Sequence, residues 1–373
     1  MSDLFQWRLF KSWWAVPTLL LVFPVLFLLG AGGVHNGDPH SEVRGMTISC
    51  HGSGMAWGSD AMVATMAELK GMGVNWVAIH PYGGIRQDGT VSGGERGRRS
   101  RMYDEARWLT RPIEEAHRLG LKIMIKPHIA YWGSGFSWRG EIDFDSAEEW
   151  SRFFETYEAW ITRVAELAKD ADAFVVGTEL DRTVRHEKEW RRIIEKVRAI
   201  TEAPLTYAAN WDSFERVKFW DALDAVGIQG YFPLVQHELV PPEKELDRAW
   251  GRLIGRLEKY GKQQNRPIIL CELGYNRSAT AAARPWEHQT GGEQAELVQR
   301  RCMAAALLAI EKSKIVTGSF LWKWFPGDGV IQVERGQGVR GSRGHGGRGN
   351  FRMSTAAMRE VIENHWGKEK MAD

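Results

Sequence analysis

PIILCELGY, at residues 267–275, is the stretch from which the fold can be read. Pro267 breaks what precedes it, four apolar residues run from Ile268 to Cys271, and Gly274 closes the run. A short, unbroken apolar stretch of this kind suits a strand buried on both faces. The strand ends in a carboxylate, Glu272. DAFVVGTEL, at 172–180, repeats the grammar: apolar from Ala173 to Val176, then Gly177, then Glu179. Two strands that each end in Glu, with helical segments between them, predict paired carboxylates at the mouth of a parallel (β/α)8 TIM barrel.

Outward from these strands the same alternation recurs. Strands are predicted at 45–50, 74–80, 121–128, 204–210, 225–231 and 318–324. Helices are predicted at 59–72, 103–119, 146–169, 187–200, 213–221, 242–260, 293–311 and 355–363, with Ser59 as an N-cap of the first. The third carries Trp150, Phe153, Phe154, Tyr157, Trp160, Ile161 and Val164 at helical spacing. Eight such alternations with no second core predict one α/β barrel domain over 44–366.

The chain has 373 residues and a formal net charge of +2, which points to no polyanionic partner, nucleic acid included. Its three cysteines, Cys50, Cys271 and Cys302, are too few for a disulfide framework and read as small apolar groups. Ahead of the barrel, Arg8 and Lys11 precede an uncharged apolar run from Trp13 to Val34. Its length suits a bilayer, which takes roughly 20 residues. Residues 1–34 are therefore expected to be either an uncleaved membrane anchor or a cleaved signal peptide, and 35–43 a linker. Either outcome exports the rest of the chain. Two Gly/Arg-rich loops, 83–101 and 328–352, leave strands at their C-terminal ends and read as solvated loops. If ordered, they would favour an anionic glycan or acidic lipid.

A barrel's active site is built where its strands stop. The groups at those positions are His80, then Lys126 and His128, then Glu179, then Asn210 with Trp211, then Tyr231, Glu272, and finally Trp322 and Trp324. Strict alternation adds an expectation about facing: Ile268 and Leu270 point inward with Glu272 while Cys271 faces the helices, Lys126 pairs with His128, and Trp322 with Trp324. A metal-dependent barrel hydrolase would show a His-x-His on an early strand, and strand one has none, so no metal or cofactor is implied. A Schiff-base enzyme would need Lys126 or Lys323, neither of which the sequence prefers.

KPHI at 126–129, WRGEI at 138–142, VGTEL at 176–180, LTYAANWD at 205–212, FWDALDAVGIQGYFPL at 219–234, ELGY at 272–275 and GSFLWKWF at 318–325 together resemble glycoside hydrolase family 113. That family belongs to the clan of retaining (β/α)8 glycosidases and is known for β-mannanase activity. The resemblance implies Glu179 as acid/base, Glu272 as nucleophile, Tyr231 as the nucleophile's contact, and Trp322 or Trp324 as the platform under the reacting sugar. One departure stands out: most of the clan has Asn before the acid/base, and this chain has Thr178. The contact to the sugar's 2-hydroxyl must then come from elsewhere, with Asn210 a candidate. The expected chemistry is double displacement on a β-linked polysaccharide, with carboxyls about 5–5.5 Å apart. A glycan-binding or scaffold barrel without turnover is the competing reading, and it leaves the Glu pair unexplained.

Overall fold

The computed structural model describes residues 43–50, 54–93, 106–288, 291–328 and 351–367. All belong to the second of two compact units, Met1–Asn36 and Gly37–Asp373. The leader expected at 1–34, nearly all of the linker, and residues 94–101 and 329–350 of the two Gly/Arg-rich loops lie outside the described residues. No described helix is long and apolar enough to cross a membrane.

The strands are β1 (Val43–Ile48), β2 (Trp76–Ile79), β3 (Tyr82–Ile85), β4 (Val91–Ser92), β5 (Lys122–Ile125), β6 (His128–Ala130), β7 (Ala173–Thr178), β8 (Leu205–Asn210), β9 (Val226–Gln229), β10 (Ile268–Leu273) and β11 (Val316–Trp324). Eight of them close a barrel in the order β1, β11, β10, β9, β8, β7, β5, β2. Its pairings are all parallel. Around it run α1 (Asp60–Gly71), α2 (Arg107–Arg118), α3 (Ala147–Leu167), α4 (Glu187–Arg198), α5 (Glu243–Gln264), α6 (Ala295–Glu311) and α7 (Ala356–Trp366). Side-chain caps start several helices. Ser59 accepts from the Met62 amide, Ser146 from Glu149 and Thr355 from Met358, each satisfying an N–H that the helix leaves over.

Three elements differ from expectation. Residues 83–93, expected to be solvated loop, carry most of β3 and all of β4, because Ile85 and Val91 are apolar and buried against the core. Residues 213–221 form two 3-10 turns, Phe214–Arg216 and Trp220–Ala222, instead of a helix. Phe214, Val217, Phe219, Trp220 and Leu223 are all buried, and that spacing fits no single helical face. The third barrel strand stops at Ile125. Pro127 has no N–H to donate, and beyond it β6 leaves the barrel to join a small sheet in the order β4, β3, β6. There Tyr82 pairs with His128. Gly83 in β3 lies against Trp160 of α3, where a Cβ would come within 2.6 Å of the indole. This packing and the Val91 amide on Thr156 Oγ1 fasten the small sheet to the helix layer.

The abundance of tryptophan is mostly structural. Trp57, Trp190, Trp220, Trp250 and Trp324 are fully buried, and each buried indole removes roughly 150–250 Å² from water. Inside the barrel a separate cluster unites Ala78, Met124, Val175, Ala208, Ile269, Cys271 and Phe320. Ile268 and Leu270 instead belong to the core between strands and helices. The facing expected for β10 is thus inverted: Cys271 and Ile269 point inward, Leu270 and Ile268 outward.

Candidate active site at the mouth of the barrel

Register slips explain how Glu272 still reaches the mouth. Leu270 pairs with Ile228 and Glu272 with Gln229, so β10 advances two residues while β9 advances one. Such an extra residue breaks the two-residue alternation and re-aims the next side chain. The same happens on β7, where Val175 pairs with Thr206 and Thr178 with Ala208. It happens again on β11, where Thr47 and Ile48 of β1 pair with Trp322 and Trp324. Directly after the β7 slip, Glu179 takes a left-handed backbone, φ 54°, uncommon for a non-glycine residue, and its amide donates to the Ala208 carbonyl at 2.9 Å. Gly177 is required two residues earlier, because a Cβ there would lie 2.6 Å from Trp190 and 2.8 Å from Tyr207.

These strand ends open into a cavity of about 610 Å³ lined by Glu179, Glu272, His128, Asn210, Trp211, Tyr231 and Trp322 among the predicted residues. Trp324 is not there. It is fully buried with the Arg359 guanidinium 4.6 Å from its ring, on the helix side of β11, because the slip turns consecutive tryptophans to opposite faces. His80 and Lys126 sit beneath the lining. His80 is buried, its Nε2 is 3.1 Å from Ser49 Oγ, and its ring stacks on His128 at 5.1 Å.

Glu272 is nearly inaccessible and collects donors. Tyr231 Oη donates to Oε2 at 2.6 Å, and the fully buried Lys126 ammonium is paired with Oε1 while also donating to the Cys271 carbonyl at 3.1 Å. Burial and the neighbouring Glu272 charge push the Tyr231 phenol far above its usual range, so it remains a donor. His128 Nε2 is 3.7 Å from Glu272 Oε1.

Glu179 has the opposite environment. Burial pushes its carboxyl up to about 7, Arg139 opposes the rise, and the charges of Glu272 and Asp181 add to it. Arg139 Nη1 reaches Glu179 Oε2 at 3.3 Å and His128 Nδ1 at 2.9 Å. Both histidines are pushed well below the ordinary imidazole range, by burial first, then by Lys126 for His80 and by Arg139 for His128. Asn210 gives its amide to both carboxylate oxygens of Asp181 at 3.1 Å.

Aromatic rings flank this centre. Trp322 carries the Lys126 and Lys323 ammonium groups 5.0 and 4.8 Å from its ring, and Trp211 stacks on Trp286 at 5.4 Å with planes 17° apart. Trp286, with 43% exposure, Arg139 and Tyr82 were not singled out from the sequence. Arg139 sits in a 3-10 turn, Arg139–Glu141, beyond the third barrel strand, where neither alternation nor helical spacing marks a residue. WRGEI was visible as a motif, but no role attached to its arginine. Among the described residues, no group of three or more His, Cys, Asp or Glu is placed to hold a metal ion.

A parallel barrel whose mouth holds one carboxylate among donors, a second with a raised pKa, and sugar-sized aromatic faces defines a glycoside hydrolase. The match to the profile of Glycoside Hydrolase Family 113 covers residues 46–328, and the chain belongs to that family. Its substrate is accordingly a polysaccharide or oligosaccharide. Among solved structures it is similar to the family 113 β-mannanase of Alicyclobacillus acidocaldarius in complex with ManMIm. Identity is 25%, TM-score 0.70, with 87% of this chain and 97% of that one covered. A family 113 β-1,4-mannanase complex matches at 21% identity and TM-score 0.69, covering 87% and 99%. A β-glucuronidase of Faecalibacterium prausnitzii shares the fold at 14% identity and TM-score 0.52, covering 89% of this chain and 49% of that one. No curated protein matches the chain.

Proposed function

We propose that the protein hydrolyses β-1,4-linked mannan by double displacement, with Glu272 as nucleophile and Glu179 as acid/base. The observation that carries this reading is the opposite treatment of two like carboxyls. Glu272 accepts from Tyr231 and is paired with the Lys126 ammonium, while burial raises the Glu179 carboxyl to about 7, so that it still carries a proton in a large part of the molecules near neutral pH. In the first step a Glu272 oxygen bonds to the anomeric carbon as the Glu179 proton passes to the departing glycosidic oxygen. In the second, ionised Glu179 takes a proton from water, whose oxygen displaces Glu272 and regenerates both groups. Trp322 supplies an apolar face for the reacting sugar, and Trp211 with Trp286 one for a neighbouring sugar. The mannan assignment draws on the β-mannanases that this chain resembles.

Export is part of the proposal. The positively flanked apolar run in 1–34 is read as an anchor or cleavable signal that places the barrel outside the cytoplasm, at the membrane or free of it. The test of function is release of reducing ends from mannan and glucomannan by the purified full-length protein, with the first-formed anomer followed by proton NMR. Retained β-configuration is expected. Initial release of the α-anomer would replace the nucleophile with a base, and no release from any β-linked polymer would remove the mannan reading. Amino-terminal sequencing of cell-associated protein decides between anchor and signal.

A further inference from the structure

If the protein hydrolyses β-mannosides, one contact remains unassigned: the donor that holds the hydroxyl on the carbon beside the reacting centre. Thr178, where the clan carries Asn, is buried, and its Oγ1 donates to the Pro127 carbonyl at 3.0 Å. The Asn210 amide nitrogen is turned to the Asp181 carboxylate, 3.1 Å from each of its oxygens. Tyr231 and Lys126 donate to Glu272. The residues first suggested by the sequence are therefore engaged.

His128 is not. Its Nε2 is buried and has no hydrogen-bond partner, yet the ring lines the cavity. We propose that His128, through Nε2–H, is the residue that recognises the 2-hydroxyl of the reacting sugar. Arg139 is the positioning residue behind it. A guanidinium only donates, so the 2.9 Å contact of Arg139 Nη1 makes His128 Nδ1 the acceptor and leaves the ring proton on Nε2. Nε2 is 3.7 Å from Glu272 Oε1, too long for a hydrogen bond. That gap fits the chemistry: when the anomeric carbon approaches a Glu272 oxygen to about 3–3.5 Å, the 2-hydroxyl, one carbon further on, enters the same space. A buried, unpaired N–H is unfavourable, and a hydroxyl that satisfies it binds with corresponding gain. Arg139 also keeps a buried Nε without a partner, but its guanidinium lies against Glu179, on the leaving-group side.

The test is a cycle of protein against substrate. kcat/KM is measured for a dinitrophenyl β-mannobioside and for the analogue lacking the 2-hydroxyl on the aryl-bearing sugar, with wild type, His128→Ala and His128→Gln. If His128 holds this hydroxyl, the preference for the hydroxylated substrate falls by about tenfold to a hundredfold in the alanine variant. It returns in part with glutamine, whose amide can donate. Thermal melting of both variants checks folding, and if alanine does not fold, the glutamine variant carries the comparison. Equal losses on both substrates, with the preference unchanged, would reduce His128 to a support for Glu272 and overturn the inference. Turnover of neither substrate by wild type would instead remove the mannosidase reading and this inference with it.

Discussion

Two parts of the same barrel follow different rules. Between β2 and β5 the ladder is unbroken, Trp76 to Ile79 against Lys122 to Ile125, and between β8 and β9 Ala208, Ala209 and Asn210 meet Gly227, Ile228 and Gln229 in step. On β7, β10 and β11 the ladder slips near the C-terminal end. The regular pairs hold the barrel closed, and the slipped strands deliver Glu179 and Glu272 and turn Trp324 away from the cavity. A strict two-residue period would give each of these strands only every second position at the mouth. The slip lets a strand place an apolar residue inside the barrel and a functional one immediately above it, as with Cys271 and Glu272.

The comparison can be broken hardest at Glu272. Glu272→Gln should lower kcat on mannan by at least about a thousandfold, and a loss below tenfold would take the nucleophile's role from this strand end. Nearly as severe should be Lys126→Met, which leaves a buried carboxylate without its cation and should cost roughly 3–5 kcal/mol of stability. The same change in a Glu272→Gln background should cost clearly less, so additive losses in chemical denaturation would show that the pair is not coupled.

Glu179→Gln sharpens the contrast between the two carboxylates. The group's folded pKa, about 7, lies above its ordinary value of 4.5, so the unfolded chain ionises first and stability is lost as pH rises from 4.5 to 7. Removing the charge should therefore stabilise the protein at pH 8, by on the order of 2 kcal/mol, and little at pH 4. An equal effect at both pH values would contradict the raised pKa. The mildest change is Arg139→Met. Its guanidinium holds the Glu179 pKa down, so its loss should move the alkaline limb of kcat/KM to higher pH, and a shift toward acid would reverse the assigned electrostatics.

Much of this was legible in the sequence. The apolar strands, their terminal Glu residues and Tyr231 could be read because a doubly buried strand that ends in a charge is a local pattern. The facing of Cys271 and Leu270 could not, since one inserted residue reverses it and leaves no compositional mark. Trp324 went to the wrong face for the same reason. Arg139 and Trp286 were out of reach differently: they meet the site from connecting segments, where position is set by tertiary packing and not by period. Residues 213–221 misled because their apolar content is helical in amount but not in spacing.

The left-handed backbone at Glu179 has a consequence for descent. Glycine or asparagine would adopt φ 54° more readily than glutamate, and either would also dispense with a carboxyl that burial disfavours. Folding alone would then steer mutation at this codon away from glutamate, and only selection for turnover keeps it. In a lineage released from that selection, position 179 should be among the first to drift, leaving an intact barrel that no longer cuts sugar.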